Sequence, residues 1–189
     1  MTKKRRAAVL LVAAGAVTGA TAVAAVEAGS RGPAVAFAEG VPHDLELLVR
    51  ATWERFTDAI PARWDCLGPV TVSGAWELGD RAAYDPDRRL VIVRIPGTAP
   101  NLQSSLVHEF AHHLEFTCPE QRSLRAHFLA AQGLPRDTPW FEGETWEQIP
   151  SEQFAEAMIE VVLGRAPPPP RIAVTAAAVE TIRAWGRGS

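Results

Sequence analysis

Cysteine and tyrosine are nearly missing from this chain. Cysteine occurs only as Cys66 and Cys118 among 189 residues, with no CxxC pair, which excludes a cysteine-rich metal site. Tyrosine occurs once, as Tyr84. A surplus of basic charge is absent as well. The formal charge is −3, and it becomes −7 once residues 1–38 are set aside, because that segment carries five basic residues (Lys3, Lys4, Arg5, Arg6, Arg31) against one acid, Glu27. A chain that acidic is a poor partner for nucleic acid. No internal repeat is visible, and the roughly 150 residues after position 38 suit one domain with one core.

Charge is missing altogether from Ala7 to Val26, directly after the basic run Lys3-Lys4-Arg5-Arg6. This is the pattern of an export signal. The apolar run is long enough to cross a bilayer at about 1.5 Å per residue. Ala, Gly, Thr and Val dominate it, however, and Leu appears only at Leu10 and Leu11, which favours a cleaved signal over a retained membrane anchor. Small residues mark two cleavage sites, Ala22-Val23-Ala24 and Ala36-Phe37-Ala38. The expected organisation is a signal peptide or anchor over 1–38 and one folded unit over 39–189. That unit would be secreted or extracellular, and held at a membrane only if the first segment stays. In an exported protein an isolated cysteine pair forms a disulfide more often than two free thiols. Cys66 and Cys118 are therefore expected to be bonded, closing a loop of about 50 residues worth on the order of 3–4 kcal/mol.

Leu45, Leu48, Val49, Trp53, Phe56 and Ile60 recur with the period of an amphipathic helix, ended by Pro61. Strands are expected at 70–72, 82–84 and 90–95, the last two joined as a hairpin by Asp85-Pro86-Asp87-Arg88. A helix follows over 102–117, with Leu102, Leu106, Phe110 and Leu114 along one face and Asn101 or Ser104 as its cap. Further helices are expected over 121–132, 151–163 and 174–185, with an ordered loop rich in tryptophan over 136–150 and a polyproline connector at 166–170. The fold class is α+β: a short mixed or antiparallel sheet packed on the 102–117 helix, with further helices around it.

That helix holds the one segment whose spacing dictates a chemistry, the HExxH of His108-Glu109-Phe110-Ala111-His112. Residues four apart share a helix face, so His108 and His112 can aim imidazoles at one zinc ion. Glu109, beside them, can take a proton from a zinc-bound water. Two histidines leave zinc one protein ligand short. The HExxHxxGxxH completion fails, because Glu115-Phe116-Thr117-Cys118 offers neither Gly nor His at the required places. His43 and His127 sit in no second motif. Glu152 and Glu156 stand four apart at the margin of an apolar face made by Phe154, Ala155, Met158, Ile159 and Val162. Both can turn inward, or both can be surface acids near a helix N-terminus, where negative charge is favourable by up to about 1 kcal/mol.

Together, His108-Glu109-Phe110-Ala111-His112 and Glu152-Gln153-Phe154-Ala155-Glu156 resemble the zincin metallopeptidases of the gluzincin type. They are similar to the catalytic-domain family of anthrax lethal factor, which pairs His-Glu-Phe-x-His with Glu-x-Phe-Ala-Glu. The resemblance covers these two helices. It implies a zincin-like domain, Zn2+ as cofactor, Glu152 as third ligand and Glu156 as the outer acid that hydrogen-bonds a ligand histidine. It further implies Glu109 as general base and a peptide or protein substrate. Residues 90–95, ahead of the motif helix, would then be the sheet edge with which an extended substrate pairs.

The family places a tyrosine or histidine before its second helix to steady the oxyanion. The matching place here is Glu144-Thr145-Trp146-Glu147, which leaves Tyr84, His113 or His127 as substitutes. That departure motivates an alternative: a non-catalytic exported binding module with a structural or vestigial zinc site and the Trp140–Trp146 loop as its partner surface. Glu115 is expected on the helix surface, His113 packed beside the site, and His43 near a helix start.

Overall fold

A computed structural model describes residues 32–164 and 172–189. The basic and apolar run of the expected signal or anchor, and the polyproline connector at 166–170, lie outside the described residues. In chain order the elements are β1 (Val35–Phe37), α1 (His43–Ala59), a short α2 (Trp64–Leu67), β2 (Val70–Ala75), β3 (Ala82–Asp85), β4 (Leu90–Arg94), α3 (Ala99–Thr117), α4 (Gln121–Gln132), α5 (Pro150–Leu163) and α6 (Ala176–Arg187). The class is α+β, with a mixed four-stranded sheet in the order β1-β2-β4-β3. β2 runs parallel to both β1 and β4, and β3 pairs antiparallel with β4. The Asp85 carboxylate closes the hairpin turn by accepting the N–H groups of Asp87 and Arg88, each at 3.1 Å.

The sheet order corrects one expectation. Residues 90–95 are not a sheet edge: β4 is bonded to β2 on one side and β3 on the other, so the outer strand is β3. Within a hairpin the sequence ranks the two strands equally, and the parallel register that sets Val72 against Val91 decides which is inner. At the opposite edge, Val35–Phe37 pairs with β2, and the Ala38 N–H donates to the Val72 carbonyl at 2.9 Å. The sheet thus takes in residues ahead of position 39. A cut after Ala38 would strip β1 from the sheet, whereas a cut after Ala24 would leave it.

α3 starts at Ala99, with Pro100 in its first turn, where the missing N–H has no intrahelical partner to lose. Thr98 precedes it, and neither Asn101 nor Ser104 caps it; the Ser104 hydroxyl donates to the Pro100 carbonyl instead. Leu106, Val107, Phe110, Ala111 and Leu114 are fully buried. Trp53 of α1 meets Phe110 edge-on at 4.8 Å, while Phe154, Ala155 and Met158 of α5 join the same core. A helix apolar over more than one stripe is a helix packed on several sides. α3 is held so by α1, the sheet and α5, and its one open strip carries the motif. Cys66 and Cys118 are bonded across 52 residues, fastening α2 to the end of α3. Among the described residues no helix is long and apolar enough to cross a membrane.

Candidate metal centre

α3 and α5 bring three ligand atoms to one point. His108 Nε2 lies 3.0 Å from Glu152 Oε2, His112 Nε2 lies 3.3 Å from His108 Nε2, and His112 Nε2 lies 3.5 Å from Glu152 Oε2. Four-coordinate zinc with bonds of about 2.0–2.1 Å holds its ligand atoms about 3.3 Å apart. The three donors therefore fit one such ion, and the group can hold a metal. Their side chains are only 13%, 14% and 19% exposed, so the site is mostly shielded yet open on one side to a cleft of about 670 Å3.

Each ligand histidine is turned by its own buried acid. His108 Nδ1 is 3.4 Å from Glu156 Oε1, and His112 Nδ1 is 2.8 Å from Glu115 Oε2. A proton on each Nδ1 frees each Nε2 lone pair toward the ligand point. Glu115 corrects an expectation. Its side chain is wholly buried, and it accepts further bonds from Trp140 Nε1 at 2.6 Å and Ser151 Oγ at 2.7 Å. The i,i+3 spacing from His112 was the one local signal for it; Trp140 and Ser151 arrive from distant parts of the chain. The Ser151 N–H also donates to the Trp140 carbonyl at 3.0 Å. The loop rich in tryptophan is thereby tied to the site through two of its rings, while Phe141 between them stays exposed: Trp140 is 8% exposed, Phe141 43%, and the Trp146 ring stacks on His108 at 6.0 Å.

Electrostatics separates the carboxylates. Burial would raise Glu152, but hydrogen bonds with His108 and His112 overcome it and hold this carboxyl far below the usual range. Burial pushes Glu109 upward, opposed by the two imidazoles and aided by Glu152 and Asp80. Burial would lower His108; Glu152 and Glu156 outweigh it and raise this imidazole to about 9. In the same way Glu115 and Glu152 overcome burial at His112 and raise it well above its ordinary value. Two neighbouring carboxyls are thus driven in opposite directions, Glu152 downward and Glu109 upward.

Tyr84 of β3 lines the same cleft. Its hydroxyl lies 2.9 Å from His113 Nδ1, and His113 Nε2 lies 3.5 Å from the Gly68 carbonyl. The carbonyl can only accept, so His113 carries its proton on Nε2 and the Tyr84 O–H donates to Nδ1. Burial pushes Tyr84 up to about 12, against Arg89 and with Asp85. His127 is exposed on α4, and His43, the first residue of α1, is 83% exposed, so neither joins the centre.

Burial pulls His113 down to about 4, with the Gly68 carbonyl opposing and Arg89 assisting. A group whose pKa is lower folded than unfolded contributes stability above its unfolded value of about 6.5, and loses it as pH falls. Wild type should therefore lose its stability advantage over His113→Gln between about pH 6.5 and 4. Urea midpoints of both proteins in chelator measure this; a pH-independent difference would contradict it.

Fold and site together define an α+β domain with a half-buried His-His-Glu centre competent to hold a metal. Comparison with protein families, with curated proteins and with solved structures gives no match for this chain.

Proposed function

We propose that the protein is an exported zinc-dependent peptidase of the zincin kind. The observation that carries this is the convergence of His108, His112 and Glu152 to spacings of 3.0–3.5 Å with Glu109 in the same cleft. Zinc bound there supplies a Lewis acid that polarises a carbonyl and makes a coordinated water acidic near neutral pH. His108 and His112, each oriented by its own acid, would hold the zinc together with Glu152, which would supply the anionic ligand. Glu109, its carboxyl pushed upward by burial, accepts the proton of the attacking water and returns it to the leaving amine. β3, bonded only to β4 among the described residues, offers backbone donors and acceptors to an extended chain. The disulfide agrees with an oxidising compartment. Incubating the zinc-loaded protein with an unbiased peptide library is expected to give cleavage that a chelator abolishes and added zinc restores. A library left intact by fully loaded protein overturns the reading.

A further inference from the structure

Large apolar side chains left in the open are informative when they cluster. Leu47, Trp76, Phe116 and Phe141 are such residues here, at 56%, 72%, 54% and 43% exposure. Phe116 and Phe141 stack on each other, with ring centroids 5.6 Å apart and planes 26° apart. Tyr84 adds a third ring 6.0 Å from Phe116. All three line the cleft that contains Glu109. Phe116 stands four residues beyond His112 and eight beyond His108, so it prolongs the metal-binding face of α3. Phe141 comes from the loop ahead of α5, and Tyr84 from the outer strand.

This surface is braced from behind. The Arg125 guanidinium sits 5.0 Å from the centroids of both Phe141 and Trp140, and Tyr84 is tied to His113. Fixed rings lose little freedom when something covers them. Outside the His-His-Glu group, its paired acids and Glu109, the cleft carries Asp80 and Glu144 against Arg81 as its one arginine, a small surplus of negative charge that disfavours an acidic side chain.

We infer that Phe116, Phe141 and Tyr84 form a specificity shelf that takes an aromatic or large aliphatic side chain of a non-acidic peptide whose backbone passes the metal centre. The inference rests on the peptidase reading for the identity of its ligand. The shelf continues the cleft of that centre, and apolar contact together with the small surplus of negative charge selects the same occupant.

The test uses the full zinc-loaded chain and alanine-based hexapeptides carrying Phe, Leu, Ala or Glu at each position in turn. At one position, Phe and Leu should raise kcat/KM about tenfold or more over Ala, within the range an apolar pocket supplies, and Glu should lower it. Phe116→Ala and Phe141→Ala should each erase most of that preference, and Phe116→Leu should restore part of it; retained zinc shows that each variant is folded. Equal cleavage of Phe and Ala peptides, or a preference that survives both alanine variants, overturns the shelf and leaves the peptidase standing. If no peptide is cleaved, fluorescence polarisation of the same peptides on the Glu109→Gln protein decides. A Phe preference lost in Glu109→Gln/Phe116→Ala keeps the shelf without the peptidase, and no preference overturns both.

Discussion

Replacing Glu109 by Gln is expected to leave zinc bound one-to-one while peptide hydrolysis falls by about 10²–10⁴-fold, the range a positioned general base supplies. The separation of the two readouts follows from the site. Glu109 is not among the three converging ligand atoms, so the three ligands are all kept in the variant. Gln keeps the shape of the side chain and removes only its ability to accept a proton. Metal content by atomic emission and kcat/KM on a cleaved peptide measure the two effects. Hydrolysis at the wild-type rate would sink the assignment of Glu109, and loss of zinc would place it among the ligands.

Glu152→Ala should abolish stoichiometric zinc binding, whereas Glu156→Gln and Glu115→Gln should each weaken it by about 10–100-fold, the usual cost of an outer partner of a ligand histidine. Glu152 presents an oxygen 3.0 Å from one Nε2 and 3.5 Å from the other; Glu156 and Glu115 approach the far nitrogens. Competition against a chromophoric chelator gives the three affinities. A Glu156 variant that binds zinc worse than Glu152→Ala would exchange the two roles. Glu115→Gln also tests a carboxylate that the sequence placed at the surface. It accepts from Trp140 and Ser151 as well as facing His112, so the effect should extend to the packing of the loop ahead of α5.

Most of the helices were legible because their signals are local. The helix expected over 121–132 is α4, closed by Gly133 in the left-handed conformation, and the apolar stripe of Leu106, Phe110 and Leu114 is fully buried. Two helices start slightly earlier than expected, because Pro100 and Pro150 each lie in a first helical turn. The paired motifs on α3 and α5 singled out His108, His112 and Glu152, which the structure brings together. The pairing of Cys66 with Cys118 was likewise available from cysteine count alone.

By itself the sequence determined the α+β class, the disulfide and the His108–His112 pair, since these follow from composition, helical period and spacing within single segments; Glu152 was reached only through the resemblance of the second motif. Only the tertiary structure decided that β3 rather than β4 is the outer strand, that Glu115 is buried against His112, that Tyr84 donates to His113, and that Phe116 and Phe141 stack at the mouth of the cleft. Each of these depends on partners 25 or more residues apart in the chain, or on sheet register. Burial and hydrogen bonding are settled by what arrives on the other side of a residue, and no local pattern carries that information.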